Sequence, residues 1–385
     1  MAIRVCHLMD GEHWAGAEVQ CAHLADGLVR CHDLELSAIL FSEGRLADEF
    51  RRLGVAAAVV DAGRRGGRLV SGVAAALRDR PVDILHTHGY KANIVGGLAG
   101  RRVGVRWFVR TEHGYTEPFT GVDRLKMGAY KGVDFLFGRF ATHWIIAVSH
   151  EMYANLIRSY PGDRVAFIQN GIVLDRVRPT ADPGEVRARF GLTDRTPVFG
   201  TAGRLVAVKG IEYFLDAAQA IREVLPDARF FVVGDGPLRE PLMARARERR
   251  VESAVEFTGF RADVVDLVNM MDVFVLPSLS EGLPMVILEA IAVGTPIVAS
   301  AVGGIPEIVR PPTGWVVPPR DASALTTACL DAYAFSRSPA RHVTVAARRD
   351  ELESAASTMC HQTWALYQDL ARRANPLGLV SLDAS

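Results

Sequence analysis

The sequence predicts an α/β protein built from two doubly wound, parallel-sheet domains, and three observations predict it. Short apolar, β-rich runs alternate with helical patterns along most of the chain. Most of these runs are too apolar to keep a solvated face, as expected of parallel strands covered on both sides. The alternation pauses once, in a proline-bearing stretch, and then resumes. Strand and helix alternating in this way imply right-handed crossovers.

The first series of strand-like runs is Ile3–Met9, Glu35–Phe41, Ala56–Val60, Asp83–His86, Trp107–Thr111, Trp144–Ser149 and Val165–Asn170. The stretch from Val173 to Thr196 carries Pro179 and Pro183 among several charges, and its start reads as an interdomain linker. A second series follows: Val198–Gly203, Arg229–Gly234, Val255–Gly259, Val273–Pro277, Pro296–Ser300 and Gly314–Pro318. The tail from Ala355 to Arg373 looks helical, with Met359, Leu366, Tyr367 and Leu370 on one stripe. The expected domains are therefore 1–175, joined by the helix 355–374, and 176–354.

Nearly half of the 385 residues are apolar, enough to bury substantial cores, and the formal net charge of zero speaks against a general nucleic-acid binder. Charge is uneven locally. Between Arg51 and Arg139 sixteen Lys/Arg stand against seven Asp/Glu, a net +9, so a basic face on the first domain is expected. Five cysteines without metal-ligand spacing fit a reduced, cytoplasmic protein. The chain opens on a strand-like run instead of a signal-peptide core, and no window approaches the ~18–20 apolar residues of a membrane span. Membrane contact is expected only as peripheral association.

Ligands of doubly wound sheets bind beyond the carboxyl ends of the strands. In the second domain the first such end is GRLVAVKG, where Gly203 opens a short loop flanked by Arg204 and Lys209. Two cations beside a helix N-terminus suit a diphosphate, though a solvated loop is an equal reading of this segment alone. GDGPLRE, Gly234–Glu240, lacks the third glycine of a dinucleotide fingerprint and reads first as a structural turn. The segment Ser278–Ala290, SLSEGLPMVILEA, places Glu281 in a turn, Gly282 where backbone can approach a ligand, and Pro284 at the first position of a helix. Glu289 sits in that otherwise apolar helix, where a carboxylate is costly without hydrogen-bonding partners such as a ribose diol. AVGGIPEIV, Ala301–Val309, is a further glycine-rich turn. In the first domain HWAGAE, His13–Glu18, includes Gly16, and three histidines, His86, His88 and His113, stand at strand ends without forming a zinc signature.

Taken together, the run from Val198 to about Leu325 resembles the donor-binding half of retaining, family-4-type GT-B glycosyltransferases, with segments in family order and spacing. WAGAE, DILHTHGYKAN, RTEHG, IIAVSHEM and IQNGIVLD are similar to counterparts in the other half. The resemblance implies two Rossmann-like domains facing across a cleft, with the C-terminal helix returning to the first. It implies a retaining, metal-independent hexosyltransferase that moves a sugar from a nucleoside-diphosphate sugar to a hydroxyl of a glycan, glycolipid or small molecule. Arg204 and Lys209, behind Gly203, would neutralise the donor diphosphate. Glu281 would contact the transferred sugar and Glu289 the ribose hydroxyls. Backbone groups of Leu283, Pro284 and Met285 would meet sugar and phosphate, and Phe260 and Arg261 would line the base pocket. Gly16 would approach the diphosphate, and His113 would stand on the acceptor side. No metal and no cofactor beyond the donor substrate is expected.

The chemistry agrees, because charge developing on the leaving β-phosphate is stabilised by fixed cations and helix N–H groups. Alternatives are a GT-B-type sugar-nucleotide epimerase and a non-catalytic sugar-nucleotide-binding protein. A further expectation is docking of the basic first domain on an anionic membrane. Arg101, Arg102, Arg106 and Arg110 lie near Trp107 and Phe108, and Lys126, Lys131 and Arg139 accompany Phe135, Leu136, Phe137 and Phe140.

Overall fold

The computed structural model describes residues 2–12, 14–61, 63, 67–114, 122–338 and 340–373, with backbone only at 122–127, 129 and 340–347. The chain divides into two compact units, Met1–Gly171 with Ala356–Ser385, and Ile172–Ala355.

Unit 1 alternates strand and helix as β1 Ile3–Met9, α1 Gly16–Leu28, β2 Leu34–Leu40, α2 Arg45–Arg52, β3 Ala56–Val59, α3 Gly67–Asp79, β4 Ile84–His88 and α4 Tyr90–Arg102. It continues with β5 Trp107–Glu112, α5 Val122–Phe140, β6 Trp144–Ala147, α6 His150–Leu156 and β7 Val165–Phe167. All seven strands pair in parallel, in the order β3-β2-β1-β4-β5-β6-β7. The two-residue period of a strand sorts β1 between two cores. Val5 and Met9 pack with α1 and α2, whereas Cys6 and Leu8 pack with α3 and α4.

The first α-helix of unit 2 is α7 Pro183–Arg189, capped by Asp182 with Pro183 in the first turn. There follow β8 Val198–Ala202, α8 Ile211–Val224, β9 Arg229–Val233, α9 Arg239–Glu248, β10 Val255–Gly259, α10 Val264–Met270 and β11 Val273–Leu276. The unit continues with α11 Met285–Val293, β12 Ile297–Ser300, α12 Ile305–Ile308, β13 Gly314–Val317 and α13 Ala322–Ser336. Its sheet runs β10-β9-β8-β11-β12-β13, again parallel. Phe199, Phe214, Phe230 and Val275 are fully buried between this sheet and α8 and α13. Each such side chain contributes about 1.5–3 kcal/mol through removal of its apolar surface from water.

The final helix, α14 Ala340–Arg372, begins in unit 2, and its portion from Ala356 belongs to unit 1. There Met359, Tyr367 and Leu370 join the core of β1, β2, α1 and α2, which is the stripe expected from the sequence; Leu366 is partly buried. α7 is fastened to its own unit by Arg187, which donates to the carbonyl of Met270 at 2.8 Å and pairs with Asp272 at 2.9 Å.

Candidate functional site

The sheet of unit 2 reverses its winding between β8 and β11, so the crevice beyond these two strands is the topological switch point. β8 leads through Gly203 and Arg204 into a 3₁₀ turn, Ala207–Lys209, and then α8. β11 leads through Ser278, Glu281 and Pro284 into α11. The two loops are tied together. Lys209 Nζ donates to Glu281 Oε1 at 2.7 Å, Ser278 Oγ donates to the same oxygen at 2.6 Å, and Leu279 N–H donates to the carbonyl of Val208 at 2.7 Å. The Lys209 and Glu281 side chains are 23% and 11% exposed, so the pair is shielded yet reachable. Charge-assisted hydrogen bonds of this length are stronger than neutral ones. A cation and a carboxylate are thus held side by side at the switch point.

Glycines let the neighbouring turns press against this pair. Gly303 adopts φ +57°, and a Cβ there would stand 2.2 Å from the carbonyl oxygen of Glu281; Gly304 N–H donates to the carbonyl of Gly282 at 2.6 Å. The AVGGIPEIV turn is therefore packing against the glutamate loop. A Cβ on Gly234 would stand 2.0 Å from the carbonyl of Gly203, so the GDG turn is filled by the loop after β8, in keeping with its structural reading.

The remaining residues of the second domain distribute as follows. Arg204 is exposed and has a partner within the chain. Pro284 is the N-cap of α11 and not its first helical residue, a correction of one position. Leu283 and Met285 are buried at that helix entry, and Glu289 is buried one turn further and is not without a partner. Phe260 is 64% exposed, whereas Arg261 is committed to Asp263 through two hydrogen bonds of 2.8 and 2.6 Å. Both follow β10, the edge strand two places from β8.

Unit 1 reverses between β1 and β4. Gly16 is the first residue of α1, where an added Cβ would meet nothing within 4 Å among the described residues, and Glu18 accepts the N–H of Ala15 at its start. His13 and residues 115–121 lie outside the described residues. In β4 the spacing of His86 and His88 puts both rings on one sheet face, and the register pairs His7 of β1 with His86. His7, His86 and His88 are buried, and His113, just past β5, is half-buried. The rings connect: His7 Nδ1 to His88 Nε2 at 3.0 Å, His88 Nδ1 to His113 Nε2 at 2.9 Å, and His86 to the Tyr367 hydroxyl at 2.5 Å and the Thr111 hydroxyl at 2.8 Å. Burial pushes all four histidines below the usual imidazole range, His7 to about 3 and His113 to about 4, so they are neutral near pH 7.

Neither His7 nor Tyr367 was among the expected site residues. The signal for His7 was a lone polar ring inside the apolar run IRVCHLM; Tyr367 read simply as core. His7, His86 and His88 each bring a ring nitrogen within 4.8 Å of the others, a donor set able to hold a metal ion. Every ring nitrogen of the three is already in a hydrogen bond to another side chain.

One expectation is overturned. Trp107 and Phe108 are 1% and 7% exposed and sit in opposite cores of the sheet, because β5 is central and covered on both faces. Arg110 is also buried, paired with Glu112 and Asp134. These residues form no docking face. α5 differs: Asp134 turns inward to accept from Asn93 and Arg110, while Tyr130, Val133, Leu136 and Phe140 are exposed beside Lys131 and Arg139. The Lys126 side chain lies outside the described residues. Among the described residues no helix is long and apolar enough to cross a membrane.

Comparison with known proteins accords with this architecture. Residues 14–176 match the family described as Glycosyltransferase Family 4, and residues 196–334 match the Glycosyl transferases group 1. The chain is 33% identical over 234 residues to the UDP-Gal:alpha-D-GlcNAc-diphosphoundecaprenol alpha-1,3-galactosyltransferase of Escherichia coli, covering 59% of this chain and 60% of the relative. It is 33% identical over 256 residues to the GDP-mannose-dependent alpha-(1-6)-phosphatidylinositol monomannoside mannosyltransferase of Mycolicibacterium smegmatis, covering 63% and 65%. The matches thus span less than two thirds of either relative's length. In three dimensions the chain is similar to Anabaena Alr3699/HepE in complex with UDP and glucose, with a TM-score of 0.78, 21% identity and coverage of 95% of this chain and 100% of the other. Two parallel doubly wound units and matches to both family domains lead to one assignment: the chain belongs to the GT-B glycosyltransferases of the group 1 and family 4 type.

Proposed function

We propose that this protein transfers a sugar from a nucleoside-diphosphate sugar to a hydroxyl of a glycan, glycolipid or small-molecule acceptor, with retention of configuration and without a metal ion. The observation that carries the proposal is the Lys209–Glu281 pair at the switch point of unit 2. Lys209 and Arg204, with the backbone at Gly203, are assigned to the diphosphate, where positive charge stabilises the leaving group as it forms. Glu281, aimed by Ser278 and Lys209, is assigned to the transferred sugar and Glu289 to the ribose diol. Leu283, Pro284 and Met285 stand where helix-entry backbone can meet sugar and phosphate. Exposed Phe260 offers a stacking surface for the base, and Arg261 lines it. Gly16, open at the start of α1, is assigned to phosphate contact and His113 to the acceptor side.

The named relatives act on lipid-linked acceptors, which supports a lipid-linked acceptor here. We propose that α5 brings the enzyme to that acceptor by lying on an anionic lipid surface. Its exposed apolar side chains recur at helical spacing, and Lys131 and Arg139 can each contribute about 1 kcal/mol near anionic headgroups.

A panel of sugar nucleotides incubated with the purified enzyme, with and without candidate acceptors, tests the main reading. Acceptor-dependent release of nucleoside diphosphate and a glycosylated product of retained configuration is expected. Binding without turnover of any donor, or nucleotide release that never depends on acceptor, would overturn it. Co-sedimentation with vesicles tests docking. Binding should require anionic lipid, fall with salt and weaken in Lys131→Glu and Leu136→Asp. No binding to anionic vesicles at low salt would end the docking proposal.

A further inference from the structure

The donor chemistry leaves unused the buried polar chain at the carboxyl ends of β1, β4 and β5. It runs without a break from Thr111 to His86 (2.8 Å), from His86 Nδ1 to the Tyr367 hydroxyl (2.5 Å), and from that hydroxyl to His7 Nε2 (3.3 Å). It then continues from His7 Nδ1 to His88 Nε2 (3.0 Å) and from His88 Nδ1 to His113 Nε2 (2.9 Å). Its last atom, His113 Nδ1, is buried and has no partner among the described residues. A neutral imidazole carries one N–H and one lone pair, so each hydrogen bond along the chain dictates the direction of the next. Only two arrangements satisfy every contact while the Tyr367 proton is donated within the chain, and they differ in which nitrogen of His113 carries the proton.

The distances select one. The short contact from Tyr367 to His86 suits an O–H donor, and the longer one to His7 suits an N–H donating back to the phenol oxygen. Tyr367 then donates to His86 Nδ1, and His86 Nε2–H donates to Thr111. His7 Nε2–H donates to Tyr367, leaving His7 Nδ1 to accept from His88 Nε2–H, and His88 Nδ1 to accept from His113 Nε2–H. The Cys21 thiol, 3.5 Å from His7 Nδ1, adds a weak donor to that same lone pair.

We propose that Tyr367, on the C-terminal helix, is a positioning residue that sets the tautomer of His113 through His7 and His88, so that His113 Nδ1 presents a lone pair to a substrate hydroxyl. The relay rests on the proposed function only in the last clause; the coupling itself is a property of the folded chain. Burial of five of the six linked side chains, all within 4% exposure, shields the chain from water that would otherwise satisfy either tautomer.

The test is ¹⁵N NMR of the full-length protein labelled at histidine, near pH 7.5, with signals assigned through single His→Gln variants. In the wild type all four rings should be Nε2–H tautomers; an Nδ1–H His113 there overturns the assignment even if no variant folds. In Tyr367→Phe, His7 loses its acceptor, and His7, His88 and His113 should shift together toward Nδ1–H. An unchanged His113 in a folded Tyr367→Phe protein would overturn the relay. In the transfer assay Tyr367→Phe should lower kcat several-fold with the donor KM unchanged. Coupled tautomers together with normal transfer by His113→Ala would keep the relay and refute the role of His113 in acceptor binding.

Discussion

The two units carry opposite electrostatics at equivalent places. Where the winding of unit 2 reverses, the strand ends hold Lys209 against Glu281, partly open to solvent. Where the winding of unit 1 reverses, the strand ends hold His7, His86 and His88, buried and neutral, linked to half-buried His113. The same architecture thus supplies one edge with fixed charge and the other with a chain of proton donors and acceptors. The difference follows from position. Lys209 and Glu281 lie on loops past the strands, whereas His7, His86 and His88 lie within strands, where desolvation disfavours the imidazolium.

The largest expected effect comes from breaking the charged edge. Lys209→Ala, Glu281→Gln and Arg204→Ala should each lower kcat/KM for the donor by about 10- to 150-fold, the loss of a charge-assisted contact of roughly 1.5–3 kcal/mol. Because Lys209 and Glu281 touch, the double variant should lose less than the sum of the two singles. Wild-type turnover of the single variants at limiting donor would remove the pair from the mechanism.

Acid should separate the units next. Each buried histidine has a folded pKa below its unfolded value, so its contribution to stability is complete above about pH 6.5 and is lost as pH falls toward the folded values, about 3 for His7 and about 4 for His113. Each costs about 1.4 kcal/mol per pH unit across that window. Calorimetry between pH 7 and 4.5 should show unit 1 melting progressively earlier than unit 2. Equal acid shifts of both units would contradict the neutral assignment.

Gly303→Ala should have a smaller effect, about 1–3 kcal/mol of destabilisation from a left-handed residue crowding the Glu281 carbonyl. Denaturant unfolding would measure it, and a melting midpoint equal to wild type would show that the turn yields freely. The smallest effect is expected from EDTA. With Lys209 and Arg204 assigned to the diphosphate in the proposed function, transfer should survive chelation; complete loss restored by magnesium or manganese would refute metal independence.

Much of this molecule is legible in its sequence. Runs such as IRVCHLM, RFFVV and VFVL are too apolar for anything but strands covered on both sides, and they appear as β1, β9 and β11. The loops after β8 and β11 announce themselves through glycine, proline and isolated charges at strand ends. What local pattern could not convey is contact across distance. Lys209 and Glu281 stand 72 residues apart and meet because β8 and β11 are neighbours in a sheet whose order departs from chain order. Trp107 and Phe108 read both as a strand covered on its two faces and as aromatics beside four arginines, and the central place of β5 decides for burial. Lys–Glu pairing, the register of His7 on His86 and the return of Tyr367 from the final helix were decided by the tertiary structure alone. Parallel strands hydrogen-bond to partners far away in the chain, and side-chain alternation then delivers whatever those partners carry to the same face.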